Sequence, residues 1–171
     1  MSERFAQQIR LDQIRDGDRL DLVADESERS AIAKRLGLAG LNRLEAHVAL
    51  SRTGDVVRAE GRLVAALQQS CVVTGDPVAA HVDEPFLLQF TPEPQSNVPD
   101  EVELGESDCD VVFHDGATID VGGALGDTLA LSLDPYPRSA GADAALKEAG
   151  VLTEEQASPF AVLAKLRKDE P

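Results

Sequence analysis

The sequence predicts an α+β protein in which an antiparallel sheet of about five strands carries a few short helices. Residues 56–73 alternate small or apolar residues with polar ones over most of their length, as a half-buried strand does. Thr74-Gly75-Asp76-Pro77 is a turn signal, and the alternation resumes between Val82 and Phe90. These observations predict two long paired strands in a meander, which could also curl into a barrel-like form.

More strands and one helix are predicted before this hairpin. Residues 5–14 and 20–24 are expected to pair across a turn at 15–18, and residues 43–52 alternate as a further strand. Asp25 and Glu28 have the spacing of a capping box, which predicts a helix from about 26 to 36 that stops at Gly37. Residues 1–92 are therefore expected to form a sheet core with one helix.

The remainder of the chain divides into an acidic linker and a helical part. Residues 93–110 are rich in proline and acidic residues, which is typical of a flexible linker. A short strand near 111–113 should precede a helix capped by Asp120, although each glycine inside that helix costs about 1 kcal/mol relative to alanine. Short helices at 143–149 and 158–168 complete residues 111–171, which we expect to pack on the same domain.

Composition excludes several classes of protein. No apolar run reaches the roughly 18 residues that a membrane helix needs. The N-terminus has no apolar stretch like that of a signal peptide, and with two cysteines expected to be reduced, the sequence predicts a cytoplasmic protein. Aromatic residues make up 4% of the chain, so the core should be mainly aliphatic.

Negative charge is concentrated in the second half of the chain. The formal net charge is −15, and the stretch from Glu93 to Asp134 holds eleven carboxylates and no lysine or arginine. Such a field repels the phosphates of nucleic acids and attracts basic polypeptides. The simpler alternative is a solvated acidic segment that keeps the protein soluble.

Common catalytic and metal-binding signatures are absent from the sequence. It contains no GxSxG, GxxxxGK[ST], HExxH or GxGxxG motif, so we predict that the protein is not an enzyme and needs no cofactor. Cys71 and Cys109 are too few for a structural zinc site, and we predict no metal. His47, His81 and His114 are expected to be structural. A small hydrolase or thiol enzyme, with a site formed only by the fold, remains the alternative.

Four stretches carry a resemblance to a known family. Residues 61–76, 84–94, 119–138 and 158–166 resemble, in order and spacing, the YceD family of large ribosomal RNA subunit accumulation proteins. The resemblance implies a non-enzymatic factor that supports the synthesis, processing or stability of large-subunit ribosomal RNA. Many members carry Cys-x-x-Cys where this chain has Cys71 and Thr74, so the resemblance brings no metal or disulfide role here. Asp127 stands where many members carry glutamate.

The charge and the resemblance agree if the direct partner is a basic ribosomal protein or assembly factor. Ribosomal RNA would then be reached indirectly, and neither a membrane nor a small-molecule substrate is expected. The predicted contact residues are four carboxylates and a group of apolar or aromatic residues that follows them. They are Glu101, Glu103, Glu106, Asp108, Leu129, Leu131, Leu133 and Tyr136. The identity of the partner and the oligomeric state stay open.

Overall fold

A computed structural model describes residues 3–6, 8–93 and 110–151. The strands are β1 (Glu3–Arg4), β2 (Ile9–Arg10), β3 (Arg19–Val23), β4 (Gly40–Thr53), β5 (Val56–Ser70), β6 (Pro77–Pro92), β7 (Asp110–His114) and β8 (Thr118–Ile119). The helices are α1 (Glu26–Leu36), α2 (Val121–Leu131) and α3 (Ala142–Glu148), with one turn of 3-10 helix at Leu11–Gln13.

Internal contacts divide the chain into two units. The first unit comprises Met1–Gln69 and Ala79–Pro135, and it contains nearly all of the sheet together with α1 and α2. The second unit comprises Ser70–Val78 and Tyr136–Pro171, and its described part is the turn after β5 and the segment around α3. The predicted division at 93–110 stays a prediction, because residues 94–109 lie outside the described ranges.

The predicted α+β class is confirmed. The main sheet has the linear order β1-β3-β4-β5-β6-β7, and β2 pairs separately with β8. Among the described strands this is an open sheet rather than the barrel-like alternative. The three long strands lie where the alternation predicts them, at 40–53, 56–70 and 77–92. Only six residues separate β5 from its neighbour β6, so these two strands must run antiparallel.

One face of the sheet forms the core. Along β5 every second residue from Val57 onward is buried, except half-buried Gly61, and the residues between them are exposed or half-buried. This is the predicted pattern. The buried residues of β5 are Val57, Ala59, Leu63, Ala65, Leu67 and Gln69. Gly61 interrupts this row opposite Val48, and a Cβ there would lie 2.9 Å from the carbonyl carbon of His47. The close approach of β4 and β5 therefore requires glycine at 61.

Both ends of the sheet carry parallel pairings that the sequence did not indicate. β7 runs parallel to β6, with Leu88 opposite Asp110 and Pro92 opposite His114, and β1 runs parallel to β3. Within the described residues, β7 covers only the last part of β6. Pro85, which has no N–H to donate to a ladder, therefore lies on a stretch of β6 that β7 does not cover.

The predicted N-terminal hairpin is wrong. The turn at 15–18 exists, with Gly17 at φ 85° and the Asp18 N–H donating to the Arg15 carbonyl oxygen at 3.2 Å. The chain before this turn is not one strand, however, because it is divided between β1, β2 and the 3-10 helix. β2 pairs with β8, more than a hundred residues away, rather than with β3. The turn signal therefore predicts the turn correctly, but the strand partners are set by distant residues.

Helix α1 begins and ends as the capping pattern predicts. Asp25 Oδ1 accepts the Glu28 N–H at 2.8 Å, and Glu28 Oε2 accepts the Asp25 N–H at 2.9 Å. Gly37 ends the helix in the left-handed region at φ 65°. The second oxygen of Glu28 accepts the Ala6 N–H at 3.0 Å, so the capping box also holds the N-terminal segment.

Candidate functional site

Helix α2 is the element from which the candidate site is built. Asp120 caps it, because Asp120 Oδ1 accepts the Gly123 N–H at 2.7 Å. Val121, Leu125 and Leu129 face the core and are fully buried. The prediction of this helix is therefore confirmed despite its three glycines, since burial of an apolar face outweighs weak helix propensity.

Each glycine of α2 has a close neighbour at the place where a Cβ would lie. A Cβ at Gly122 would lie 2.7 Å from the carbonyl carbon of Phe5. A Cβ at Gly123 would lie 2.8 Å from Cγ of Asp120, the capping residue. At Gly126 a Cβ would meet the guanidinium of Arg35, which belongs to α1. Backbone or capping atoms therefore approach the helix closely at Gly122 and Gly123, whereas the neighbour of Gly126 is a flexible side chain.

The outer side of α2 borders a groove, which we call the α2 groove. It has a volume of about 390 Å3 and lies between α2, β6, β7 and the end of α1. Its lining residues are Arg35, Leu88, Asp110, Val112, Asp120, Gly123, Ala124, Asp127, Thr128 and Leu131. All of them belong to the first unit.

The α2 groove has an apolar floor and a charged rim. Leu88 and Ala124 are buried and Val112 is half-buried, whereas Leu131 is 81% exposed. Three carboxylates and one arginine line the rim, and Arg35 Nη2 lies 3.4 Å from Asp127 Oδ1. Both partners of that ion pair are well exposed, so it stabilises the fold little. The groove can therefore accept an apolar group with positive charge beside it.

The predicted contact residues separate into different environments. Leu129 is 0% exposed and belongs to the core, so it offers no surface to a partner, and its inclusion in the predicted set is corrected. Helical spacing had placed it on the same face as Leu125 but could not say which face is buried. Leu131 lines the α2 groove, and Leu133 is partly buried against the core.

The other predicted contact residues belong to the second unit or lie outside the described ranges, so their part in a contact stays a prediction. Tyr136 is 74% exposed and belongs to the second unit. Glu101, Glu103, Glu106 and Asp108 lie outside the described residues. The sequence did not indicate that the carboxylates Asp110, Asp120 and Asp127 form one group, although all three lie within the acidic stretch from Glu93 to Asp134.

Cys71 occupies a hydrogen-bonded turn in the second unit. Its Sγ accepts backbone N–H groups of Val73, Thr74 and Ser139 at 3.4, 3.5 and 3.3 Å. The Ser139 hydroxyl, the Ser139 N–H and then Thr74 stabilise the thiolate and lower the pKa of Cys71 from its usual 9.0 to about 6. The thiol is buried, so this charge supports the turn rather than an open reactive site.

Thr74 occupies the position that the second cysteine of a Cys-x-x-Cys motif would have, and its hydroxyl forms hydrogen bonds in the same turn. Thr74 Oγ1 donates to Asp76 Oδ2 at 2.7 Å and lies 3.1 Å from Ser139 Oγ. The residues that surround Cys71 are therefore held by hydrogen bonds among themselves. Within the described ranges, no group of three or more His, Cys, Asp or Glu side chains is arranged to hold a metal ion.

The three histidines lie in separate surroundings. His114 is buried, its Nε2–H donates to the Asp55 carbonyl oxygen at 2.8 Å, and its Nδ1 accepts the Gly116 N–H at 3.0 Å. This pattern of one donor and one acceptor requires the neutral ring. His47 Nδ1 lies 2.6 Å from Asp21 Oδ1 on the exposed sheet face, and His81 is exposed on β6. None of them lines the α2 groove.

Fold and groove together define an α+β protein with an apolar groove rimmed by carboxylates. Among the described helices, none is long and apolar enough to cross a membrane. The family model for the large ribosomal RNA subunit accumulation protein YceD matches residues 59–167. The chain therefore belongs to the YceD family, which is described by ribosomal RNA accumulation and not by a catalytic activity. No curated protein and no solved structure matches it significantly.

Proposed function

We propose that this chain is a cytoplasmic, non-enzymatic factor that supports accumulation of large-subunit ribosomal RNA through a basic protein partner. Membership of the YceD family is the observation that carries the link to ribosomal RNA. The partner class rests on charge, because a protein of net charge −15 repels a phosphate backbone. A newly made ribosomal protein or a basic assembly factor would meet the opposite field.

The described surface supports this choice of partner class. Between Glu93 and Asp134 the sequence has no cation, and the described carboxylates Asp110, Asp120 and Asp127 gather around one apolar groove. Like charges facing each other in an interface cost several kcal/mol, whereas complementary charges raise the association rate. A salt-sensitive complex with a basic protein is therefore expected, with ribosomal RNA bound only through that partner.

A binding experiment with two purified fractions tests the proposal. The full-length protein is immobilised and offered either the proteins extracted from large ribosomal subunits or the deproteinised RNA of the same subunits. Retention of basic proteins that weakens between about 0.05 and 0.3 M salt, with little retained RNA, is the expected result. Tight retention of naked RNA at the higher salt concentration would contradict the proposal.

A matched pair of variants tests the acidic segment. In one variant Glu101, Glu103, Glu106 and Asp108 are changed to the corresponding amides. The control variant carries the same change at four exposed glutamates elsewhere, at positions 26, 60, 84 and 148. Both variants lose the same net charge, but only the first loses it from the predicted contact residues. We therefore expect the first variant to retain less basic protein than the control. Equal retention would show that only the net charge matters.

A further inference from the structure

The α2 groove combines two properties that a surface of general acidity does not need. Its floor is apolar, with Leu88 and Ala124 buried and Val112 half-buried. At its border Leu131 leaves 81% of its surface in water, although it ends a helix whose other leucines are buried. Exposure of a leucine beside an apolar concavity is typical of a binding surface.

The charges around this groove select the kind of group that fits it. Asp110 stands on β7, and Asp127 stands on α2, so carboxylates lie on two different elements of the rim. Arg35 is the single cation among the lining residues, and its Nη2 forms an ion pair with Asp127 Oδ1 at 3.4 Å. With Asp120, the rim carries three formal negative charges against one positive charge. An apolar side chain flanked by lysine or arginine would satisfy both floor and rim.

We propose that the α2 groove is the anchor site for a basic protein partner, which inserts an aliphatic or aromatic side chain while flanking cations contact Asp110 and Asp127. This inference rests on the proposed function and adds the place of contact and the form of the bound segment. An apolar anchor surrounded by charge gives the interface its affinity, and the charges give it orientation and speed. Leu131 forms one wall of the site and contacts the inserted side chain.

The first test is a titration of the full-length protein with synthetic peptides. The probe is an amphipathic peptide of about 18 residues with leucines at helical spacing and lysines on either side. In one matched peptide the leucines become serines, and in the other the lysines become glutamates. We expect the leucine–lysine peptide to bind at least about tenfold more tightly than either control, since anchor and charge are both needed.

Variants of the groove then locate the binding. Leu131→Ser should weaken the leucine–lysine peptide about fivefold or more, and Val23→Ser, which changes an exposed valine of β3, should not. Asp110→Asn with Asp127→Asn should weaken binding and lower its salt dependence more than Glu60→Gln with Glu84→Gln. All of the substituted residues are exposed, so each variant should keep the folded state, which circular dichroism verifies.

The outcomes separate this inference from the proposed function. If ribosomal proteins are retained but Leu131→Ser and the two aspartate changes leave binding unaltered, the groove is not the contact and only this inference is wrong. If no basic protein is retained while the peptide binds in the groove, the proposed function fails instead. Peptide binding that appears only after Leu163 and Leu166 are changed to serine would make the chain's own C-terminal segment the occupant, and would overturn the inference.

Discussion

The packing of α2 predicts that a glycine-to-alanine substitution lowers the free energy of unfolding at one position and raises it at another. Gly122→Ala and Gly126→Ala each replace a buried glycine of the same helix. In a helix interior, alanine is favoured over glycine by about 1 kcal/mol, and this gain is smaller at Gly122 because it lies in the first turn. Helix propensity alone therefore predicts that both variants are stabilised.

The neighbours of the two glycines reverse this expectation at one of them. The added Cβ of Gly122→Ala would lie 2.7 Å from the backbone carbonyl carbon of Phe5, which can move only with the N-terminal segment. Overpacking of this kind costs about 1–3 kcal/mol, so we expect a net loss of about 1–2 kcal/mol. The neighbour of Gly126 is the Arg35 guanidinium, on a side chain that is 49% exposed and can turn away. Gly126→Ala should therefore gain about 0.5–1 kcal/mol.

Guanidinium unfolding followed by circular dichroism at 222 nm measures both variants beside the wild type. The expected gap between them is about 1.5–3 kcal/mol, or roughly 3–12 °C in Tm for a domain of this size. A variant that changes the slope of the free energy of unfolding against denaturant concentration would have altered compactness rather than altered stability alone. If Gly122→Ala proves as stable as Gly126→Ala, the close approach of the Phe5 backbone to α2 is refuted.

Three further predictions concern α1 and the turn around Cys71. Asp25→Ala should lower the free energy of unfolding by about 0.5–2 kcal/mol because the capping box is lost, whereas Ser30→Ala on the exposed side of α1 should change it little. The pKa of Cys71 is about 6 in the folded protein, below its unfolded value, so thiolate stabilisation is fully present above about pH 9 and is lost as pH falls through 6. The stability lost in Cys71→Ser should therefore be larger at high pH than at low pH, and an equal loss would contradict the thiolate. Protein purified without chelators should contain well under one zinc per chain, because Thr74 stands where a second thiol ligand would be needed; stoichiometric zinc by elemental analysis would refute this.

Local patterns were sufficient for the elements but not for their partners. Period-two alternation predicted the long strands, and Asp25, Glu28 and Gly37 predicted both ends of α1, because these signals act within a few residues. The pairing of Ile9 with Ile119 was not predictable, since two-residue strands carry no signal that identifies a partner so far along the chain. The same limit applied to the parallel edge strands.

The candidate site was predictable only in part. The acidic stretch from Glu93 to Asp134 and Leu131 near its end were evident in the sequence, and they mark the region in which the α2 groove lies. The contribution of Arg35 could not be seen, because it reaches the groove from a helix some ninety residues before α2. Leu129 was misassigned because hydrophobic spacing identifies a face of a helix but not what covers it. The turn after Cys71 was predicted from Thr74-Gly75-Asp76-Pro77, whereas the contact of Cys71 with Ser139 depends on the fold.

The central position of β5 in the sheet has a consequence for work with fragments. Ala59, at which the family match begins, lies within β5, and antiparallel pairing with β4 continues on both sides of it. A truncated protein that starts there would lose β3, β4 and α1, and would expose a row of unpaired backbone groups along β5. Leu63, Ala65 and Leu67 would lose their cross-strand neighbours on β4 at the same time. Such an edge is a template for aggregation, so residues 1–58 should be kept in any shortened protein.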